Sequence, residues 1–398
     1  MRNRPTGSPE VLRPALVVHM YVAVTGPRAV EHRHRLNDLW HRLGTELDAP
    51  PRSVGRIEVR TAPGEVLRQA VLRTEHDIHC LSVALTGGTW QELDALWNRW
   101  AGDTPEWALG VCRLFVAYVD GSPGQDLTPG VLAALPGSYT YGRTTTTGDF
   151  ALWEVGIDRD DRVLRTFALL APLAAEHQLD AWVWSAGDDR MTPFARYLMH
   201  TAKVRYELRV YAQGDGFRRA RQGVDDQVDG MLGMLDADEL PAFRVELAEK
   251  QAATAGLIRA MTRLREMRRT LEIARHNMRD EGLQDDIALT DWFILRLDDD
   301  IAYAEATRER AREIGAIADL VIGERLQRRI EHRERRWERL AVLEAAVLGT
   351  LLMMLTAIQA LNYHVPMPDQ VKPYVVLGLG VMAFVLTAVG YLRWRRAR

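Results

Sequence analysis

The chain predicts an α+β protein in three parts: a sheet-bearing N-terminal domain, a long helical stalk and a C-terminal transmembrane hairpin. Three observations predict it. Over residues 15–205 short β-branched apolar runs alternate with amphipathic segments. Residues 206–342 are rich in alanine, arginine and glutamate and keep a helical rhythm. Residues 343–398 hold two uncharged apolar stretches closed by a basic tail. Residues 1–14 are polar and proline-bearing, are expected to be disordered, and lack the apolar core of a signal peptide, so the first domain is expected in the cytoplasm.

The N-terminal domain opens with "ALVVHMYVAV" (Ala15 to Val24), a buried strand, and continues with "PRAVEHRHRLNDLWHRLGTEL", a helix with Pro27 early in it. "EVLRQAVLRTE" and "DIHCLSVALTG" read as two strands joined by a tight turn near His76. "TWQELDALWNRWAGD" is a helix capped by Thr89, with Trp90, Leu93, Leu96, Trp97 and Trp100 near one face. "LGVCRLFVAYVDG" closes the set as a strand. Residues 15–120 thus run β-α-β-β-α-β, the order of a ferredoxin-like unit. Residues 149–185 supply a further strand, "FALWEVGID", then a helix, "DRVLRTFALLAPLAAEH", and a strand, "LDAWVWSAG".

With 47% hydrophobic and 26% charged residues, the 398-residue chain has ample material for a core. A net charge of −3 gives no bias toward nucleic acid, and none is expected as a partner. Cys80 and Cys112 are the only cysteines, which fits a reducing compartment. Lysine is confined to Lys203, Lys250 and Lys372 among 51 basic residues, a skew of composition rather than of chemistry.

No phosphate-cradling GxxxxGK[ST], dinucleotide GxGxxG after a strand, HExxH, GxSxG or paired CxxC occurs, so no enzyme activity and no cofactor is expected. His79 and Cys80 are adjacent on a strand and point to opposite faces, so they form no dyad. Asp158, Asp160 and Asp161 fit a strand-to-helix turn. Trp153, Trp182 and Trp184 fit core packing, with a small-molecule pocket as the other use of such rings.

In the stalk, Leu257, Met261, Leu264, Leu271 and Met278 keep a four-three spacing with Arg268 and Arg275 in the seam, the pattern of a helix lying along a helical partner in a coiled coil. "DEGLQDDIAL" supplies a break, and Thr290 before Asp291 predicts a new helix start. From there to Leu361 no proline occurs, so one helix of ~70 residues can run into the membrane, with a stop near Gly323 as the other option. Asp298, Asp299 and Asp300 stand in a row on this helix. Consecutive helical positions fan apart, which favours ion pairs with arginines over a metal site; a divalent-ion site between subunits is the other reading.

The spans follow. Neither Ala345 to Leu361 nor Tyr374 to Leu392 contains a charge, and each reaches roughly 25–29 Å, close to the bilayer's hydrocarbon thickness. Arg328, Arg329, Arg333, Arg335, Arg336 and Arg339 precede the first span; Arg393, Arg395, Arg396 and Arg398 follow the second. The intervening loop carries only Asp369 and Lys372. Both termini are therefore expected in the cytoplasm and the loop outside, with Trp337, Tyr374, Tyr391 and Trp394 as interfacial anchors. On the first span Ala345, Gly349, Leu352, Thr356, Gln359 and Tyr363 share one face, small or polar in five of six members. Such a face packs on a helix or lines water. The second span of the same hairpin and a pore built by several copies both satisfy it.

The order of parts, with Ala360-Leu361-Asn362-Tyr363 at the outer end of the first span and "YLRWRRAR" as the tail, resembles the CorA-type divalent-cation channels. Those are funnel-shaped pentamers whose filter motif is Gly-Met-Asn followed by an aromatic. The resemblance implies a homo-oligomer with a filter at Asn362 and Tyr363, there taking a hydrated divalent cation, and the stripe makes Gly349, Thr356 and Gln359 the candidates to line such a pore. Alanine and leucine replace the motif's glycine and methionine. Over the full length, "PALVVHMYVAVTGPRA", "YLMHTAKVRYELRVY" and the two-span ending resemble the CATRA group, bacterial proteins associated with caspase-like and TPR-repeat proteins in conflict (immunity) systems. That resemblance implies a membrane-seated component working beside a caspase-like protease and a TPR-repeat protein. With the hairpin, the polar stripe and the altered filter residues, a pore-forming or membrane-perturbing effector of the bacterial inner membrane is expected. A divalent-cation channel is the alternative.

Overall fold

In the computed structural model the described residues are 11–397 apart from 27, 103–104, 122, 124–128, 138, 140–143, 148–149, 215, 235–237, 253–255, 280–282, 365–367 and 369. The chain divides into two compact units, Met1–Val224 with Glu249–Arg308, and Asp225–Ala248 with Glu309–Arg398.

In the first unit β1 (Leu12–Ala23) is followed by α1 (Ala29–Glu46), β2 (Arg52–Val54), β3 (Ile57–Thr61), β4 (Arg68–Glu75) and β5 (Ile78–Thr86). Then come α2 (Trp90–Ala101), β6 (Gly110–Val119), α3 (Pro129–Ala134), β7 (Thr144–Thr147), β8 (Phe150–Val155), β9 (Leu164–Pro172), α4 (Glu176–Val183) and α5 (Pro193–Gln213). The strands form one sheet of order β2-β3-β4-β5-β1-β6-β9-β8-β7. Its centre, β4-β5-β1-β6, is antiparallel throughout and has the ferredoxin-like order that residues 15–120 predict. The short polar β2–β3 hairpin extends one edge, and β9, parallel to β6, begins the extension of the other. Pro27 lies outside the described residues.

Strand alternation sorts the core into two layers. Leu16, Val18, Met20 and Val22 of β1 face α1 and α2, where Leu36, Trp40, Trp90 and Trp97 pack. Val17 and Tyr21 face α4 and α5, where Trp182, Phe194 and Leu198 pack. With both faces covered, β6 is buried at every position. Each large apolar side chain so buried contributes roughly 1.5–3 kcal/mol. The predicted Thr89 cap is a full capping box: Thr89 N donates to Glu92 Oε2 at 2.8 Å and Glu92 N to Thr89 Oγ1 at 3.3 Å. The β4–β5 turn carries His76 at φ 52°, in the left-handed region. At Gly110 a Cβ would stand 2.7 Å from Ala202 Cβ, so the absent side chain lets α5 lie close on β6.

Residues 149–185 differ from expectation after the first strand. "VLRTFALLAP" is strand β9, and the segment expected as a final strand is helix α4. An apolar run buried on both faces lacks a period that separates helix from strand, and Pro172 ends it as a strand. Asp158, Asp160 and Asp161 accordingly lie in the β8–β9 hairpin, where Arg159 donates to Asp161 at 2.8 Å, and not before a helix.

The remaining helices are α6 (Gly216–Gly233), α7 (Leu240–Ala252), α8 (Leu257–Asn277), α9 (Gln284–His364) and α10 (Lys372–Ala397). The expected helix start at Thr290 is overturned. α9 begins at Gln284, and buried Thr290 donates its hydroxyl to the Asp286 carbonyl at 2.6 Å. Gly323 does not interrupt it. Within the first unit Leu257, Met261, Leu264, Leu271 and Met278 of α8 are buried, as are Phe293 and Leu297 of α9. The seam arginines find carboxylates across the helix pair, Arg268 on Asp298 and Arg275 on Asp291.

In the second unit Val228, Met231, Leu240 and Leu247 are fully buried, with Ala311 and Ala318 of α9. Arg244 makes a two-point contact with Asp319, 3.1 Å at each oxygen.

Candidate functional site

The second unit ends in two helices long and apolar enough to cross a membrane. Only 6% and 11% of their apolar stretches are buried within the chain, so these are not core helices of a soluble fold. This part of the protein is built to associate with a membrane.

At 3.6 residues per turn the first span presents three faces. Ala346 is buried, and Thr350, Met354 and Ala357 on the same side are half-buried. This is the side of α10, where Gly380 and Ala383 are buried and a Cβ on Gly380 would stand 2.5 Å from the tip of Met354. Small residues on both helices allow that approach. A second face, Val347, Leu348, Leu351, Leu355 and Ile358, is bulky, apolar and exposed, as a lipid-facing surface is. The third face is the small and polar stripe. Ala345, Gly349, Leu352, Thr356 and Gln359 are all exposed, and nothing lies within 4 Å of a Cβ built on Gly349. The stripe is not the seam with α10.

Within the stripe the hydroxyl of Thr356 is satisfied by its own helix, donating to the Leu352 carbonyl at 2.8 Å. The Gln359 amide has no partner among the described residues, which makes it the polar group that most needs one in a lipid setting. Asn362 and Tyr363 occupy the last turn of α9, and their side chains lie outside the described residues, as do those of Tyr391 and Trp394 in α10. Of the other anchor candidates, Trp337 is 64% and Tyr374 75% exposed.

Asp298, Asp299 and Asp300 point three ways. Asp298 pairs with Arg268, Asp299 is exposed, and Asp300 is buried, accepting from Tyr211 at 2.5 Å. Among the described residues no cluster of three histidine, cysteine, aspartate or glutamate side chains suits a metal ion. Trp153 and Trp182 are buried in opposite core layers, with Trp184 half-buried on the second, so the three rings do not line one pocket.

Sequence reasoning missed a buried charge network in the first unit. Arg165 of β9 grips Glu154 of β8 with both ends of its fork at 2.7 Å, and reaches Thr201 of α5 at 2.9 Å and Asp286 of α9 at 3.0 Å. Arg205 donates to Asp286 at 2.8 Å, Tyr197 also donates to it, and Arg162 joins Glu154. Burial alone would raise the Glu154 carboxyl, but Arg165 and Arg162 hold it down to about 2. Burial likewise opposes ionisation of Asp286, and Arg165 and Arg205 outweigh it. Tyr197, Thr201 and Arg205 are spaced four apart on α5, a polar line on an apolar face that is the one trace of the network in the sequence. Chemically it is a clamp, fastening the first turn of α9 to the sheet.

Comparison with known proteins adds a family. No curated protein matches the chain. Among solved structures, the CorA magnesium transporter from Methanocaldococcus jannaschii is similar over 73% of this chain and 93% of its own, at 11% identity and a TM-score of 0.25, too distant to carry an argument. Residues 15–187 match the caspase and TPR repeat-associated N-terminal domain, CATRA-N, and residues 192–311 the corresponding C-terminal domain, CATRA-C. With the sheet and α4 inside the first match and α5, α8 and the charge-clamped start of α9 inside the second, the chain belongs to the CATRA family of caspase- and TPR repeat-associated proteins.

Proposed function

We propose that this protein is the membrane-seated, oligomeric component of a bacterial conflict system, and that copies of its hairpin assemble into a pore or membrane-perturbing structure under the control of the sheet-bearing domain. The observation that carries the reading is the stripe Gly349-Thr356-Gln359, exposed on a helix whose other two faces are accounted for by α10 and by a lipid-like surface. A second copy of the same helix satisfies it. The arginines before the first span and after the second support an orientation with both termini on the cytoplasmic side of the inner membrane. Caspase-like and TPR-repeat proteins are the partners that the family's name supplies, with no catalysis assigned to this chain.

The test is dye release from liposomes carrying the full-length protein, with a subunit count in detergent. Leakage that falls in Gln359→Leu, from an assembly of several subunits, is the expected result. A monomer in detergent excludes a pore, and leakage unchanged in Gln359→Leu removes the stripe from it.

A divalent-cation channel is the second reading, favoured by the position of Asn362 and Tyr363 in the last turn of α9. Metal-dependent uptake lost in Asn362→Ala distinguishes it.

A further inference from the structure

The helices on the Tyr21 face of the sheet do not cover all of it. Tyr21 donates to the Ala195 carbonyl of α5 at 2.6 Å, and a His19 ring nitrogen lies 3.1 Å from the Val183 carbonyl of α4. Beyond β5 the same face opens into a cleft of roughly 630 Å³. Register fixes its floor. Ile57 stands opposite Arg73, Val59 opposite Val71, and Thr61 opposite Gln69, so these six side chains share one face. Trp184 and Ser185, just after α4, line it at the helix-covered side.

Arg73 is only 8% exposed, and its Nε and Nη1 have no hydrogen-bond partner. No hydrogen bond or ion pair holds it among the described residues, whereas the four other buried arginines all have partners. Arg113 has Asp94, Arg165 has Glu154 and Asp286, Arg205 has Asp286, and Arg60 has the Ala49 carbonyl and the Trp40 ring. The groups beside Arg73 do not balance it. Cys80 lies opposite it in register and Tyr21 opposite Cys80, and burial keeps both in their protonated, neutral forms. The other charged groups lining the cleft, Asp48, Arg52 and Asp188, are exposed to water. A buried cation without a counter-ion is unfavourable, and an anion delivered by a ligand relieves it.

We propose that this cleft binds a small molecule with one anionic group, carboxylate or phosphate, and an apolar body, Arg73 serving as counter-ion and Trp184 as a wall. Gln69, Thr61 and Ser185 supply neutral hydrogen-bonding groups along the cleft, and Ile57, Val59 and Val71 supply the apolar floor. The site stands apart from the membrane reading, since it needs neither a pore nor an oligomer.

The experiment is ligand-observed NMR on the full-length protein in detergent, with benzoate, phenyl phosphate and benzyl alcohol as probes of matched apolar body. At least one anion is expected to bind about tenfold or more tightly than the alcohol, the margin of one charge-assisted contact. The better of the two anions identifies the source of the charge. Arg73→Met should erase the margin, and Trp184→Ala should weaken all three probes. Absence of anion binding, equal affinity for the alcohol, or a margin that survives in Arg73→Met overturns the proposal. Melting of the ligand-free protein is a separate check: an uncompensated buried charge predicts that Arg73→Met melts at or above the wild-type temperature, and a drop of several degrees overturns it.

Discussion

Two stretches of α9 handle their surroundings in opposite ways. From Gln284 to Arg308 the helix is held laterally. Phe293, Leu297 and Ala304 are buried, and Asp286, Asp291, Asp298 and Asp300 each have a partner on α5, α8 or the sheet. From Ala345 to Gln359 it has α10 along one side and an exposed polar stripe along another. A long helix survives by lateral contact rather than propensity; the first stretch has that contact within the chain, and the second leaves a polar face exposed there. The difference teaches where to look for function: on the proposed reading, the exposed stripe is the face open to a second copy.

The sharpest way to break the first half of that contrast is Asp286→Ala. It removes the carboxylate shared by Arg165 and Arg205 and leaves buried guanidinium groups short of a counter-charge. A loss of about 3–5 kcal/mol is expected in urea unfolding of the first unit's signal. Adding Arg205→Met to Asp286→Ala should restore part of it, because the loss comes from charge left unpaired rather than from volume.

Acid should reach the same unit with a smaller effect. Buried His19 is pushed down from 6.5 to about 3 by loss of hydration, against the raising influence of its contact with the Val183 carbonyl. The unfolded chain therefore takes up the proton first as pH falls. The stabilisation is whole above the unfolded value and is lost from about pH 6.5 down toward 3, amounting to about 2–3 kcal/mol at pH 4.5. Glu154, its carboxyl held down to about 2, adds a loss in the same direction, from about pH 4.5 downward. Melting temperature measured from pH 7 to 4 should fall. His200, pushed down to about 4 by burial, adds to the fall, and Glu207, pushed up to about 7 by burial, opposes it. His19→Gln should reduce the upper part of that fall while leaving the Glu154 part.

What the sequence shows of these regions follows from the range of the interactions. The central strands and α2 are legible because β-branched apolar runs bounded by turns and a capping box are local signals, as Thr89 and Glu92 illustrate for the helix. β9 misleads because "LRTFALLAP" is rich in the helix formers Leu and Ala and has one β-branched residue, and the β2–β3 hairpin is missed because its residues are few and mostly polar. The clamp is nearly invisible, since Glu154, Arg165, Arg205 and Asp286 are distant in sequence and only folding assembles them. The stripe on the first span is legible from spacing alone. Which neighbour it meets is not, because "facing α10" and "facing another copy" require the same small and polar residues. Three-dimensional placement of Ala346 and Gly380 in the seam separates the two.

That separation yields the finest test, a matched pair of glycine substitutions. Gly380→Val puts its new side chain into Met354 and should loosen the hairpin itself, since a Cβ there already stands 2.5 Å from the methionine tip. Gly349→Val meets nothing within 4 Å in the single chain and should leave the hairpin unaffected. Its cost falls on contact between copies, where the added side chain holds the two backbones apart and weakens association. Native mass spectrometry in detergent reads the subunit distribution, and circular dichroism on heating reads the hairpin. A shifted distribution with unchanged melting for Gly349→Val, and the reverse weighting for Gly380→Val, keep the two faces distinct. Equal behaviour of the two variants merges stripe and seam into one surface, and α9 then has no face left over for a second subunit.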